Sequence, residues 1–358
     1  MKKFLALGLT LIMLLAVVGC QKKEADVNEP ATDAAVDTPA DQAAGWRAGV
    51  CIYKFDDTFM TSVRDAMKAR ADELGAELEI VDSQNKQSEQ SNQVDTFLTQ
   101  DVQALCLNPV DRVAAQPLME KAKENNLPVV FINRQPEDPV MAAYDKIWYV
   151  GAKAEQSGTL SGEIIVDYFK ANPEADKNGD GKIQFVMLQG EPGHQDATLR
   201  TEYSQQALVD GGFEYEALAM DTAMWDTAKA TDLMNTWITS IGLDKIEAVL
   251  ANNDDMALGA IAALQSQGYN KGDPDKFIPV VGVDATTKAL SAMEDGSLLG
   301  TVLNDGVNQG KAAVNIMNAA VAGQEITEDS IGYPITDGKW IWIEYVKVTK
   351  DNYQDFQK

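Results

Sequence analysis

Short apolar runs alternate with longer amphipathic stretches from about residue 48 onward. Each apolar run is typical of a buried β-strand. The stretch containing Phe59, Val63 and Met67 repeats apolar residues every four positions, which indicates a helix with one buried face. The predicted strands are 48–53, 77–82, 104–108, 128–133, 148–151, 183–188, 213–220, 247–251, 278–283 and 299–303. The predicted helices are 58–75, 88–100, 114–126, 157–171, 196–210, 226–241, 254–267, 286–295 and 306–322.

This alternation predicts the fold class. Strands separated by helices pair in parallel, and nearly continuous apolar strands belong to sheets that helices cover on both faces. The pattern starts again after residue 171, which predicts an α/β protein built from two doubly wound parallel-sheet lobes. Because ligands of such sheets bind beyond the carboxyl ends of the strands, the residues after each strand are the candidate site.

Similar polar residues follow the predicted strands in both halves of the chain. A lone Asp or Asn is commonly a helix cap, but seven strand ends with the same chemistry predict one polar cleft shared by both lobes. The segments that follow the strands are 54–59, 133–134, 190–196, 221–225, 252–255, Asp284 and 304–305.

The chemistry of these segments suits a neutral sugar. A carboxylate accepts two hydroxyl donors, an amide donates and accepts at once, and aromatic rings pack on the apolar faces of a pyranose. The chain has no cluster of Arg and Lys for phosphate and no glycine fingerprint for a dinucleotide. A GxxG spacing at 190–193 is weak evidence for phosphate on its own.

Catalysis has little support in the sequence. His194 is the only histidine, which excludes a metal centre built on several histidines, and no Gly-x-Ser-x-Gly elbow is present. A glycosidase needs only two carboxylates and stays a formal alternative. The many carboxylates and amides suit several hydroxyl contacts better than one acid/base pair, so we predict a binding protein and not an enzyme.

A second motif has the spacing of a calcium loop. Asp176, Asn178, Asp180 and Gln184 stand at positions 1, 3, 5 and 9, and Lys182 would contribute its carbonyl. The twelfth position, normally a bidentate Glu, is Met187. Either a Glu from elsewhere completes the site, or the segment is a plain turn. A predicted strand follows directly, so this is not a helix–loop–helix pair.

The first residues resemble a bacterial lipoprotein signal. Lys2 and Lys3 precede an apolar run over 4–18 that is short for a membrane span, and Cys20 follows. We expect a signal peptide over 1–19, acylation of Cys20, and a disordered tether over 20–44 that is rich in Ala, Asp, Glu and Pro. An ordinary secretory peptide is the alternative.

The charge and the cysteines limit the partners and the redox state. A net charge of −25 argues against a nucleic-acid partner, because the phosphate backbone would repel the protein. Cys51 and Cys106 lie in predicted buried strands, where paired cysteines rarely have disulfide geometry. We expect two buried free thiols, with a disulfide as the alternative in an exported protein.

Several phrases resemble those of the bacterial galactose/glucose-binding proteins, the substrate-binding components of ABC sugar importers. The resemblance runs from about residue 48 to the end of the chain. Its phrases are 52–60 (IYKFDDTFM), 82–85 (DSQN), 190–194 (GEPGH), 221–228 (DTAMWDTA), 251–254 (ANND), 282–284 (GVD) and 300–305 (GTVLND). Arg134 and Gln135 depart from the basic–acidic pair usual in that family.

The resemblance implies a type I periplasmic-binding-protein fold with hinge strands between the lobes. The lobes would comprise 45–152 plus about 305–334, and 153–304 plus about 335–358. It also implies that Phe59 and Trp225 sandwich the sugar. The hydroxyls and ring oxygen would be bound by Asp57, Asn133, His194, Asp196, Arg200, Asn253, Asp284 and Asn304. From the residues alone, Trp225 could instead be core, His194 a loop residue, and Arg200 a helical ion-pair partner of Asp196.

The resemblance also supplies the missing calcium ligand, Glu247, which would complete a structural Ca²⁺ site with Asp176, Asn178, Asp180, Lys182 and Gln184. It implies a monomeric, extracytoplasmic, lipid-anchored protein that passes D-glucose and/or D-galactose to an ABC permease. Signalling to a chemotaxis receptor is an open alternative.

Overall fold

The computed structural model describes residues 45–357, which fold around two parallel sheets. The predicted signal peptide, the acylation site Cys20 and the predicted tether lie outside the described residues. In the part of the chain that is described, no helix combines the length and hydrophobicity needed to span a membrane.

The strands are β1 Arg47–Ile52, β2 Glu77–Asp82, β3 Ala104–Leu107, β4 Val129–Ile132, β5 Ile147–Gly151, β6 Lys182–Gln189, β7 Glu214–Thr222, β8 Ala248–Ala251, β9 Val280–Val281, β10 Thr301–Leu303, β11 Trp340–Trp342 and β12 Val346–Val348. The helices are α1 Thr58–Leu74, α2 Gln87–Thr99, α3 Ala115–Glu124, α4 Asp138–Ala142, α5 Ala154–Ala171, α6 Gln195–Asp210, α7 Thr227–Ser240, α8 Asp254–Ser266, α9 Thr287–Glu294, α10 Gly306–Val321 and α11 Glu328–Ile331.

The two sheets repeat one strand order. The first is β11-β5-β4-β3-β1-β2, the second is β7-β6-β8-β9, and neighbouring strands in both are parallel. When the second order is reversed, β6, β7, β8 and β9 take the places of β1, β2, β3 and β4. The predicted class, two α/β lobes with parallel sheets, is confirmed.

Each sheet is covered on both faces. In the first lobe α1 and α10 pack on one face, while α2, α3 and α4 pack on the other. In the second lobe α7, α8 and α9 cover one face, while α5 and α6 cover the other. This explains why strands such as β3 and β4 are apolar at every position.

The chain passes between the lobes three times, after β5, after β10 and between β11 and β12. The expectation that the second lobe takes the chain from about residue 335 was wrong for β11. Its backbone pairs with β5 at the edge of the first sheet, from Trp340 opposite Tyr149 to Trp342 opposite Gly151. Only after Trp342 does the chain return, so that β12 pairs with β10.

Other differences concern the short elements. The predicted strand 278–283 contracts to β9, and β10 pairs antiparallel with β12 instead of joining the parallel sheet as a full strand. The sequence did not predict α4, α11, β11 or β12, because elements of three to five residues show too little periodicity to detect.

The thiols of Cys51 and Cys106 lie on opposite faces of the first sheet. Cys51 pairs in register with Leu107 and Cys106 with Val50, so the two side chains point away from each other into separate halves of the core. Both are free and fully buried, as expected.

This placement predicts two unreactive thiols. Burial raises the pKa of Cys51 to about 12 and that of Cys106 further, so the reactive thiolate is absent at neutral pH. Iodoacetamide should leave both residues unmodified in the native protein and alkylate both after denaturation, as read by peptide mass spectrometry. Recovery of a peptide that links Cys51 to Cys106 through a disulfide would contradict this placement.

Candidate functional site: a polar cleft between the lobes

The carboxyl ends of the strands of both lobes face one cavity. The cavity has about 370 Å³ of space free of protein atoms when the adjoining open solvent is included. Its lining contains all ten residues predicted to contact a sugar, and one further residue, Tyr53. The lining residues are Tyr53, Asp57, Phe59, Asn133, His194, Asp196, Arg200, Trp225, Asn253, Asp284 and Asn304.

Asp57 is fixed from two sides. It is the N-cap of α1, where one carboxylate oxygen accepts a hydrogen bond from the backbone N–H of Met60 at 2.7 Å. Its other oxygen accepts the hydroxyl of Tyr53. Tyr53 is itself covered by the guanidinium of Arg134, 3.9 Å from the ring centre. The carboxylate therefore has a set direction and keeps lone pairs for a ligand.

Asn133 follows β4 in a left-handed backbone conformation, with φ of 60°. Such a conformation needs support from its surroundings. The hydroxyl of the buried Tyr149 donates to the Asn133 carbonyl at 2.7 Å, and the amide of Asn108 donates to the Asn133 side-chain oxygen at 3.2 Å. These contacts aim the Asn133 amide at the cavity.

His194 is a neutral hydrogen-bonding group. It caps α6, and its Nδ1 accepts the backbone N–H of Asp196 at 3.1 Å, so the ring proton is assigned to Nε2. Burial lowers the pKa of His194 well below its usual value, and the charges of Arg134 and Arg200 lower it further. The ring is thus uncharged at neutral pH and offers one N–H donor.

Arg200 is held by three groups, and its Nε–H is not used by any of them. Its guanidinium donates to the carboxylate of Asp196 at 3.1 Å, to the carbonyl of Asn252 at 2.7 Å and to the hydroxyl of Tyr345 at 2.9 Å. Its buried Nε has no partner among residues 45–357. The helical ion pair with Asp196 exists, but both side chains also line the cavity.

Trp225 lies on the cavity wall and not inside the core. Its indole packs edge-on to the His194 ring, with centroids 5.1 Å apart. It also lies directly over Gly190, where a Cβ atom would come within 2.1 Å of the ring. Gly190 therefore provides the space in which Trp225 sits, and Phe59 contributes a second aromatic ring from the other lobe.

Asn253, Asp284 and Asn304 complete the second-lobe side. The oxygen of Asn253 caps α8 through the N–H of Met256 at 3.0 Å, so the amide protons of Asn253 remain available. Asp284 accepts a hydrogen bond from Asn304 at 3.3 Å. Burial raises the pKa of Asp284 well above its usual range, although Arg200 lowers it in part. This polar wall therefore offers both hydrogen-bond donors and acceptors to a ligand.

Contacts between the lobes close the rim of the cavity. Arg134 of the first lobe pairs with Glu191 of the second at 2.7 Å, and only 4% of the Arg134 surface is exposed. The hydroxyl of Thr58 donates to Asp255 at 2.8 Å. A ligand in the cavity is thus shielded from bulk water.

The sequence did not identify Tyr53, Tyr149 or Tyr345 as parts of this site. Tyr53 follows β1 and could have been found by the strand-end rule. Tyr345 lies just before β12, far from Arg200 in the sequence, and no local pattern indicates their contact.

The predicted calcium loop lies at the start of β6. The Asp176 carboxylate accepts the backbone N–H groups of Gly179 and Gly181 at 2.7 and 2.8 Å. Glu247 reaches the same segment and accepts the N–H groups of Lys177 and Gln184 at 2.6 and 3.1 Å.

Gln184 leaves an oxygen unsatisfied next to this loop. Its side chain is 3% exposed, its amide donates to Asp180 at 2.9 Å, and its buried Oε1 has no partner among the described residues. Within 45–357 no three His, Cys, Asp or Glu side chains are grouped closely enough to hold a metal, so the carboxylates of Asp176, Asp180 and Glu247 are not gathered around one point as predicted. A cation here would therefore also need amide and carbonyl oxygens, and the orphaned Gln184 oxygen fits that requirement.

Comparisons with known proteins agree with this architecture. A family described as "Periplasmic binding protein domain" matches residues 48–325. The D-galactose/methyl-galactoside binding periplasmic protein MglB of Haemophilus influenzae is 44% identical over 317 residues, 88% of this chain and 93% of that protein. A xylitol-binding protein of Mycolicibacterium smegmatis is 30% identical over 285 residues, 80% of this chain and 75% of that protein.

A solved structure shares the fold. It is an ABC transporter solute binding protein from Bacillus halodurans with bound myo-inositol. Its TM-score to this chain is 0.73 at 30% identity, and the match covers 89% of this chain and 99% of that one.

The position of the Trp225 ring over Gly190 allows a test of the site. Gly190→Ala places a methyl group where the indole lies, so the ring must move, and the cavity must lose its wall. We expect ligand affinity to fall at least tenfold, with a melting temperature within a few degrees of wild type. The control is Asn235→Ala, at an exposed position on α7. Unchanged affinity in Gly190→Ala would mean that Trp225 does not form the site.

Proposed function

This chain belongs to the periplasmic binding protein family, as an extracytoplasmic sugar-binding component of an ABC importer, and we propose that it captures D-glucose and/or D-galactose and delivers it to the permease. The observation that carries this proposal is the cavity itself, in which all ten predicted sugar contacts from both lobes converge. The 44% identical relative named for D-galactose and methyl-galactoside supports the same ligand class.

The donors and acceptors of the cavity match a hexose. Asp57, Asp196 and Asp284 offer carboxylate oxygens to hydroxyl protons, while Arg200 and Asn253 keep donors for hydroxyl and ring oxygens. Phe59 and Trp225 supply apolar faces from opposite lobes. The resemblance implies that Asp57 accepts the 4-hydroxyl in either orientation, which would admit both sugars.

Capture of the sugar would require the two lobes to close, but no chemical reaction. Two lobes that close on a sugar exclude water, and the permease would then recognise the closed form. A site of buried polar groups rejects analogues that lack a hydroxyl, because a group left unpaired in the closed site costs free energy. The relatives are named as binding proteins, which agrees with the prediction that this chain is not an enzyme.

Signalling to a chemotaxis receptor is the alternative role that we propose for the same closed form. It would use the same sugar site and differ only in the partner. Loss of taxis toward galactose on gene deletion, with uptake retained through another system, would favour it.

The lipid anchor and the monomeric state belong to this proposal as well. Lys2, Lys3, the apolar run over 4–18 and Cys20 support an acylated N-terminus followed by a tether. A single acylated cysteine with several chains would hold the binding domain durably at the membrane face near its permease.

A structural Ca²⁺ is also proposed. Asp176, Asn178, Asp180, the Lys182 carbonyl, Gln184 and Glu247 would bind it, and the orphaned Gln184 oxygen supports this ligand set. When bound, the cation would neutralise the carboxylates and link the loop to the segment before β8. The loop lies at the start of β6 and the sugar residues follow its end, roughly 25 Å away at about 3.3 Å per strand residue.

Titration of the purified protein with galactose and glucose by calorimetry tests the ligand. After bound sugar is removed by unfolding and refolding, we expect one-to-one binding at micromolar or tighter Kd. Asp284→Ala and Asn253→Ala should each weaken binding at least tenfold, because each removes a buried hydroxyl partner. Asn235→Ala, exposed on α7, is the matched control. Unchanged affinity in both site variants would exclude this site assignment.

Removal of calcium should destabilise the protein more than it weakens sugar binding. A cation at 100 times its Kd adds about 2.7 kcal/mol, so EGTA should lower the melting temperature by on the order of 5 °C. Glu247→Gln should abolish this response, while Glu202→Gln, an exposed residue of the same lobe, should keep it. If EGTA instead weakened sugar binding at constant melting temperature, the metal would act on the cleft.

A further inference from the structure

Two buried asparagines occupy equivalent places in the two lobes. Asn108 directly follows β3, and Asn252 directly follows β8, the strand that takes the place of β3 in the second sheet. Their side chains are 0% and 2% exposed. Neither lines the sugar cavity.

The same two hydrogen bonds tie each asparagine to the neighbouring strand. The N–H of Asn108 donates to the carbonyl of Cys51 at 2.9 Å, and its side-chain oxygen accepts the N–H of Tyr53 at 3.2 Å. The N–H of Asn252 donates to Leu188 at 3.0 Å, and its side-chain oxygen accepts the N–H of Gly190 at 3.0 Å. Tyr53 and Gly190 are the first residues after β1 and β6, so the contacts are equivalent residue by residue.

The partners of Asn108 carry the first-lobe side of the cavity. Tyr53 donates its hydroxyl to Asp57. The amide of Asn108 also donates to the carbonyl of Ile132 and to the side-chain oxygen of Asn133, each at 3.2 Å. One buried amide thus joins the ends of β1, β3 and β4, contacts Tyr53 and Asn133 directly and reaches Asp57 through Tyr53.

The partners of Asn252 carry the second-lobe side. Gly190 is the seat of the Trp225 ring. The backbone carbonyl of Asn252 accepts the guanidinium of Arg200 at 2.7 Å, and its amide donates to the hydroxyl of Thr201, the next residue on α6, at 3.2 Å. The side chain of Asn252 therefore holds the Gly190 turn beneath Trp225 and contacts Thr201, the neighbour of Arg200. The contact to Arg200 itself comes from the backbone carbonyl and is kept in Asn252→Ala.

We propose that Asn108 and Asn252 are a matched pair of positioning residues. Each holds the sugar-contacting residues of one lobe in place without lining the cavity itself. The inference rests on the proposed function, because the groups that it positions are the proposed sugar contacts. A buried amide that loses its partners leaves several donors and acceptors unpaired, and the strand ends that it joins become free to shift. Sugar contacts need placement to within about 0.5 Å, so such shifts reduce affinity before they unfold the lobe.

Double-mutant cycles with galactose calorimetry test this inference. Asn108→Ala and Asn252→Ala should each raise the Kd at least tenfold. Because Asn108 acts through Asn133, adding Asn133→Ala to Asn108→Ala should raise the Kd by less than threefold more. Adding Asn133→Ala to Asn252→Ala should multiply the two separate effects, because these residues lie in different lobes.

Asn270 is the matched control for a purely structural asparagine. It is 1% exposed, its amide donates to the carbonyls of Ile278 and Ser297, and it lies outside the cavity lining. Asn270→Ala should lower the melting temperature and leave the galactose Kd unchanged. If Asn108→Ala and Asn252→Ala behave in the same way, the proposal is overturned.

Two further measurements keep the test decisive. If Asn108→Ala does not fold, Asn108→Asp keeps the acceptor for Tyr53 and loses the donor to Asn133, so it should still weaken binding tenfold. In sugar-free protein, NMR amide signals of Asp57 and Asn133 should shift in Asn108→Ala but not in Asn252→Ala. These shifts test positioning without a ligand. Absence of any galactose or glucose binding by wild type would refute the proposed function instead.

Discussion

The parallel pairing of strands is the constraint on which the rest of this structure depends. In a parallel sheet the carboxyl ends of all strands lie at one edge. Residues that are far apart in the sequence therefore come close together at that edge. Two such sheets face each other, and Asp57, Asn133, Asn253 and Asp284, each within five residues of the end of a strand, line one cavity. The location of the site is therefore set by the parallel pairing of the strands and not by any single side chain.

Burial decides how these groups behave. The cavity brings several carboxylates and Arg200 out of water, raises the pKa of Asp196 and Asp284, and keeps His194 neutral. Among residues 45–357 buried groups such as the Arg200 Nε have no protein partner, and a buried polar group without a partner costs free energy. A polyhydroxyl ligand supplies those partners, which is why the same polar wall that opposes closure without sugar would favour it with sugar.

Stability and recognition are separated along β6. The proposed calcium loop and Glu247 lie at its amino end and tie two segments of one lobe together. The Gly190 turn and His194 lie beyond its carboxyl end, where the other lobe is reached through the Arg134–Glu191 pair. The eight residues of β6 thus separate the proposed calcium site from the proposed sugar contacts of the same lobe.

The amino-acid sequence by itself determined the α/β class, the two-lobed repeat and the strand-end segments of the candidate site, because long apolar strands and strand-end residues are local signals. The individual sugar contacts, Arg200 among them, were implied by the resemblance to a known family. The short helices and strands were not predicted from the sequence. β11 pairs with the first sheet only because Trp340 and Trp342 pack beside Tyr149, which is a contact across the fold.

Only the tertiary structure decided how the contacts are held. In the sequence Asn108 looks like any other residue at a strand end, and no local pattern identifies Tyr345. In the structure Asn108 contacts Asn133, and Tyr345 contacts Arg200. Local pattern records which residue types stand near a strand end. Which of them face the ligand and which support the others depends on the register between strands, and that register is set by the packing of the whole lobe.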